Sequence, residues 1–205
     1  MQQLTAKNLK QLLDDPENNS GTIDGVLYDR NTIKPSIVHF GVGNFHRCHQ
    51  AVYMDRLLRR GSDEWGIIGV SMRSTSIRDA LKPQDFLYTE VTLGGQPRFR
   101  IIGSILDILV GPEDPSAVVN LVGETSTKLV TTTITEKGYC LSSGNLDHSH
   151  TGMSADKTSL EKPKTIYGYL AAGIILRSCS DTGPLSIVCC DNIEAGGQTL
   201  RTGVY

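Results

Sequence analysis

A chain of 205 residues, 39% of them hydrophobic, is long enough for one domain of ordinary size or slightly more and can bury a real core, which argues against wholesale disorder. A formal net charge of -2 leaves no basic field to neutralise a phosphate backbone, so nucleic acid is not an expected partner. The longest apolar stretch, Ile166 to Leu176, falls short of the roughly 20 residues a membrane span needs, and the N-terminus lacks a basic start and an apolar run. The expectation is a cytoplasmic protein with no membrane contact.

In chain order, Thr5 to Asp14 reads as a short helix with Thr5 as N-cap, since Leu9, Leu12 and Leu13 share a face. Asp15 to Ile33 is polar and turn-rich and reads as a surface arm, so residues 1–33 form an N-terminal helix and arm. Ile37 to Phe40 reads as a buried strand. It runs into Gly41-Val42-Gly43 and then a helix from Asn44 to about Arg60, with Ala51, Met54, Leu57 and Leu58 inward and Asp55, Arg56, Arg59 and Arg60 in water. Gly61 supplies a left-handed stop.

Trp65 to Ser71 is the second strand and Thr75 to Lys82 a short helix before Pro83. Phe86 to Leu93 and Arg98 to Leu109 read as two strands around Gly94-Gly95. Pro115 to Val122 is helical, Leu129 to Thr135 a strand, Ser142 to Asp156 a polar loop, Ile166 to Arg177 a helix and Leu185 to Cys190 the last strand. No short-period repeat is present. Strands alternating with helices predict an α/β fold, a parallel sheet covered on both faces. The five cysteines, Cys48, Cys140, Cys179, Cys189 and Cys190, form no C-x-x-C pair and read as buried, reduced thiols.

Gly41-x-Gly43 between a hydrophobic strand and a helix carries the strongest chemical signal. A phosphate needs close backbone approach, which a Cβ obstructs, and the following helix offers free N–H groups and a positive dipole end. The third small residue of the usual fingerprint is replaced by His46. From spacing alone, dinucleotide binding and a ligand-free strand-to-helix turn both stay open.

The run Ile37-Val38-His39-Phe40-Gly41-Val42-Gly43-Asn44-Phe45-His46-Arg47-Cys48-His49-Gln50-Ala51-Val52-Tyr53 closely resembles the N-terminal signature of the mannitol dehydrogenase family, the polyol-specific long-chain dehydrogenases. That family carries the turn as G-x-G-x-F-H-R, so His46 conforms to it. Trp65-Gly66-Ile67-Ile68-Gly69-Val70, Ala80 to Thr89, Thr133-Ile134-Thr135-Glu136-Lys137-Gly138-Tyr139 and Cys190-Asp191-Asn192-Ile193 resemble further family segments in the same order, over about residues 34 to 195. The resemblance implies a Rossmann-like NAD(P)-binding domain over 34–205, incomplete at its C-terminus, and hydride transfer between a polyol and its ketose without a metal. It implies that the strand and turn from Ile37 to Cys48 hold the coenzyme and that Glu136 and Asn192 lie near the substrate.

The family's base is a lysine in a K-x-x-x-x-N-x-x-H helix of a C-terminal domain, and nothing here matches that pattern. No catalytic residue is therefore assigned, the catalytic domain is expected to be absent, and this chain alone is expected to be inactive. Glu194-Ala195-Gly196-Gly197 also departs from the family's P-x-N-G. NAD selection usually rests on an acid after the second strand. This chain has Met72-Arg73-Ser74-Thr75-Ser76 there, and Arg73 could face a 2′-phosphate, so NAD is expected first and NADP is the alternative.

Other residues have plainer readings. His46, Cys48 and His49 share helical spacing, but zinc needs three or four ligands and no further spacing follows, so no metal is expected. Lys137 reads as a solvated turn lysine, and His148 and His150 as solvated loop residues. A catalytically inactive, nucleotide-binding product is the main rival reading. A methyltransferase ranks last, because it too wants an acid after the second strand.

Overall fold

In the computed structural model, residues 4–15 and 23–205 are described. Helix α1 (Leu9–Asp14) begins later than its leucine spacing suggests. The amide and hydroxyl of Thr5, the expected N-cap, instead both donate to Asn8 Oδ1, at 2.8 and 2.9 Å, which ties residues 5–8 into a turn. Part of the expected arm, residues 16–22, lies outside the described residues. The remainder lies mostly at the surface and is tied to the body. β1 (Ile23–Asp24) pairs with a later strand, and Tyr28 and Arg30 reach into the body of the protein.

The central sheet holds β2 (Pro35–Phe40), β3 (Gly66–Ser71), β6 (Ile105–Val110), β7 (Leu129–Thr132) and β10 (Ser186–Cys189). All of its pairings are parallel, in the order β10-β7-β2-β3-β6. The chain enters at the middle, steps outward through β3 to β6, then crosses back to β7 and β10. The reversal falls between β2 and β7, and open α/β sheets bind ligands in the crevice outside the carboxyl ends at such a point.

Helices cover both faces, as the strand–helix alternation predicts. On one face, Ile37, Ile67, Ile105 and Ile108 pack with Ala51 and Val52 of α3 (Gln50–Arg59) and Leu81 of α4 (Ser76–Leu81). On the other, Val38, Phe40, Val70 and Val130 pack with Val118 and Val122 of α5 (Pro115–Gly123), Tyr169 and Leu170 of α7 (Ile166–Ser178), and Leu200 of α8 (Gly196–Val204). Neighbours in β2 thus serve opposite cores, so the strand reads as a continuous apolar run.

Four expectations are corrected. The helix after the glycine turn is broken at His49 into α2 (Asn44–Cys48) and α3, because the Tyr88 hydroxyl donates to the Arg47 carbonyl (2.6 Å), which an unbroken helix would offer to residue 51. The run Arg98 to Leu109 is two strands. β5 (Arg98–Ile102) forms a hairpin with β4 (Tyr88–Thr92), whereas β6 joins the main sheet. The break sits at Gly103-Ser104, where Ser104 donates to the Ala51 carbonyl at 2.7 Å. The polar loop contains β8 (Leu141–Ser142), β9 (Asn145–Leu146) and α6 (Thr151–Thr158); His148 and His150 are exposed, and His150 Nδ1 accepts from the Gly152 amide. Of the five free thiols only Cys140 is buried, while Cys48, Cys179 and Cys190 are exposed. Helix α8 was not anticipated.

Asp55 is the largest departure from the sequence reading. It is fully buried, not in water, and accepts from Tyr28 Oη (2.6 Å), Arg59 Nε (2.5 Å) and the Gly103 amide (3.1 Å). Arg59 also donates to the Ile101 carbonyl, and Arg30 to the carbonyls of Gly103 and Ile105. One carboxylate therefore ties the N-terminal segment, α3 and the β5–β6 junction together. No helix among the described residues is long and apolar enough to cross a membrane.

Candidate functional site

Parallel pairing brings the carboxyl ends of β2, β3, β7 and β10 to one edge. Gly41 to Asn44 follow β2, Arg73 follows β3, Thr133 to Glu136 follow β7, and Asp191 and Asn192 follow β10.

The two glycines of the turn have different reasons to be glycine. Gly41 has φ +98, and a Cβ there would overlap the Thr133 carbonyl oxygen and sit 2.6 Å from its carbon. The protein itself requires that residue. Gly43 has φ -87 and ψ -176, a conformation open to any residue. A Cβ there would meet nothing closer than the Gly41 carbonyl oxygen at 3.9 Å. The fold does not need a glycine at 43, and it leaves open space against exposed backbone.

The amides beyond Gly43 are available. Those of Asn44, Phe45 and His46 have no acceptor among the described residues. Because α2 has a single turn, these amides and not a long-helix dipole make the electropositive edge. Arg47 braces the turn from within. Its Nη1 donates to the Val42 carbonyl (3.0 Å) and its Nη2 to Asn44 Oδ1 (2.5 Å). Val42 packs close over Gly69, where a Cβ would overlap its side chain.

The strand residues named with the turn hold it up from below. Ile37, Val38 and Phe40 are core side chains. His39 is fully buried and bonds β2 to β7: Nδ1 lies 2.7 Å from Thr131 Oγ1, and Nε2 lies 3.1 Å from the Gly41 carbonyl and 2.8 Å from Thr133 Oγ1. Thr131 Oγ1 in turn donates to Gln50 Oε1 at 3.0 Å, which extends the network to α3. His46 stacks on His39 with ring centroids 3.4 Å apart. It too is buried beside the Gln50 side chain, and neither of its ring nitrogens has a partner of good hydrogen-bond geometry among the described residues. Burial holds both imidazoles neutral, pulling His39 down to about 3 and His46, with His39 beside it, to about 2.

Folded-state values this far below the ordinary 6.5 mean that the unfolded chain takes up protons the native state refuses. This contribution to stability is complete above pH 6.5 and is lost as pH falls towards 3. Each histidine contributes a slope of about 1.4 kcal/mol per pH unit in that window. Urea melts should show that His46→Phe removes about 2 kcal/mol of the destabilisation the parent suffers between pH 6.5 and 5. Equal pH dependence in parent and variant would contradict this assignment.

Phe45, Cys48 and His49 are exposed, with Phe45 stacked on His49 at 4.9 Å. His46 turns inward while Cys48 and His49 face out, so the three do not converge, and no group of three or more metal-ligating side chains occurs among the described residues. Arg73 is exposed at the end of β3, with no hydrogen bond or ion pair among the described residues. Glu136, Lys137 and Asn192 are exposed, and neither Glu136 nor Asn192 makes a side-chain hydrogen bond among them. The end of β7 lies against the glycine turn through Thr133, whose amide donates to the Phe40 carbonyl and whose hydroxyl donates to Gly41. Sequence reasoning did not single out Thr133 or Tyr139, and partners so distant in the chain leave no local pattern.

Comparison with known proteins yields the following. Residues 35–205 match the model of the mannitol dehydrogenase Rossmann domain. Polyol:NADP oxidoreductase of Gluconobacter oxydans is 35% identical, over 97% of this chain and 41% of that protein. Mannitol 2-dehydrogenase of Pyrenophora tritici-repentis is also 35% identical, over 97% of this chain and 35% of that protein. The solved ternary complex of Pseudomonas fluorescens mannitol 2-dehydrogenase with NAD and D-mannitol superposes with a TM-score of 0.89 at 32% identity, covering 99% of this chain and 41% of that one. The chain thus spans about two fifths of the length of such relatives.

Proposed function

The chain belongs to the mannitol dehydrogenase family, and we propose that within it residues 34–205 form the domain that binds a nicotinamide dinucleotide for hydride exchange between a polyol and its ketose. The observation that carries this reading is Gly43. A residue with ordinary dihedrals, open space in place of a side chain and unpaired amides just beyond it suits the close approach of a diphosphate. In this reading the Asn44 and Phe45 amides hold the diphosphate. Arg47 fixes the turn's shape, and His39 and His46 stay neutral beneath it.

The β2, β3 and β6 half, with Arg73 at its edge, takes the adenosine, and the ends of β7 and β10 take the nicotinamide half. When bound, the nicotinamide ring supplies the hydride acceptor or donor. Glu136 and Asn192 face the substrate side. The structure neighbour binds NAD and one relative is named for NADP. We take NAD first, with Arg73 as the reason NADP stays in contention.

The polyol or ketose and the base lysine belong with sequence of the kind the relatives carry beyond this match. We therefore expect the isolated chain to bind coenzyme and not to oxidise mannitol above background. Fluorescence titration with NADH and NADPH tests the reading. Saturable binding of at least one is expected, and failure of both would overturn it.

A further inference from the structure

We propose that Asp191 is a positioning residue for the nicotinamide half of the coenzyme, holding the loop after β7 in a strained conformation at the mouth of the crevice. This rests on the coenzyme-binding reading above. The Asp191 carboxylate reaches across from the end of β10. Its Oδ2 accepts from the Ile134 amide at 2.8 Å and from Tyr139 Oη at 2.6 Å, and its Oδ1 accepts from the Thr135 amide at 3.2 Å. Tyr139 is itself fixed. It is fully buried, its hydroxyl lies 2.6 Å from Thr132 Oγ1, and its carbonyl accepts from Tyr167 Oη. The carboxylate is thus anchored on one side and grips two consecutive amides on the other.

Those amides hold an unfavourable backbone. Thr135 sits at φ +65, ψ 160, a region where a β-branched residue is a genuine outlier and which is otherwise almost confined to glycine. Strain of this kind persists only where the surroundings enforce it, and it gathers at ligand clamps. Here the enforcing group is Asp191. The loop it bends packs on the glycine turn through Thr133, presents Glu136 outward, and begins where β7 faces the nicotinamide side of the switch point. Asp191 is partly buried, and among the described residues its carboxylate hydrogen bonds are all directed at this loop, with none to Arg73 or the β3 end where adenosine would lie.

Asp191→Asn keeps the shape but turns an N–H donor toward one of the two amides. The test titrates the parent, Asp191→Asn and Tyr139→Phe with NADH and with ADP-ribose, which has the diphosphate and adenosine but no nicotinamide. Expected for Asp191→Asn is at least a tenfold rise in the NADH dissociation constant, with ADP-ribose affinity unchanged within twofold. Expected for Tyr139→Phe, which removes the anchor but spares the two amide contacts, is a rise in the NADH dissociation constant smaller than in Asp191→Asn, whatever its loss in melting temperature. Parallel weakening of NADH and ADP-ribose, or equal NADH loss in the two variants, would show a merely structural latch and overturn the proposal. Unchanged NADH affinity in Asp191→Asn would overturn it too. A parent that binds neither ligand would instead defeat the coenzyme-binding reading, so the two failures are distinguishable.

Discussion

Gly43→Ala is expected to raise the dissociation constant for the nicotinamide coenzyme at least tenfold, about 1.4 kcal/mol, while leaving the melting temperature within about 2 °C of the parent. The two readouts separate because the two glycines do different work. At Gly41 an added methyl group meets a backbone carbonyl, and the backbone is left-handed, so Gly41→Ala damages the fold and binding together. At Gly43 the methyl group enters open space with allowed dihedrals, so the apo protein does not register it. Only a ligand that needs that space does. Calorimetric titration beside a thermal melt measures both quantities. Unchanged coenzyme affinity in a well-folded Gly43→Ala protein would mean that the space at 43 is not used.

Asp55→Ala is expected to cost about 3–5 kcal/mol, the range for removing one partner of a buried ionic pair, and so to lower the melting temperature by about 6–20 °C for a chain of this size. The cause is the set of donors left behind. Arg59 loses its buried partner, and the Tyr28 hydroxyl and the Gly103 amide lose their acceptor. Burial, the largest cause of the raised Tyr28 hydroxyl, persists without Asp55, so the hydroxyl stays a neutral donor and does not relieve the loss by ionising. Asp55→Asn should cost less, because the side chain keeps its shape and one acceptor. A thermal melt of Asp55→Ala within 2 °C of the parent would contradict the account of this network.

The inner strands were legible because they are buried on both faces and spell near-continuous apolar or β-branched runs, so Ile37 to Phe40 and Leu129 to Thr132 stand out without alternation. The glycine turn was legible for the same local reason: two glycines between a strand and a helix. What the letters could not show is that Gly41 and Gly43 differ, since the difference lies in a carbonyl 92 residues downstream at Thr133. The same holds for the helix break. A tyrosine hydroxyl 41 residues away interrupts the ladder, and periodicity from Ala51 to Arg59 gives no sign of it. Asp55 looked solvated because it follows an apolar stripe at a polar position. Its partners Tyr28 and Gly103 lie 27 and 48 residues away, so only the fold brings them to it. Asp191 was named only within the Cys190-Asp191-Asn192-Ile193 segment; its grip on Ile134 and Thr135 spans 57 and 56 residues.

The claim beneath these expectations is that bare amides just past Gly43 receive the coenzyme diphosphate. Amide-resolved nuclear magnetic resonance of the 205-residue chain during NADH titration tests it most directly. The account predicts saturable shifts that are largest at Gly43, Asn44 and Phe45, reproduced by ADP-ribose at those three amides. Saturation with no shift at those amides, and the largest shifts elsewhere on the surface, would contradict it.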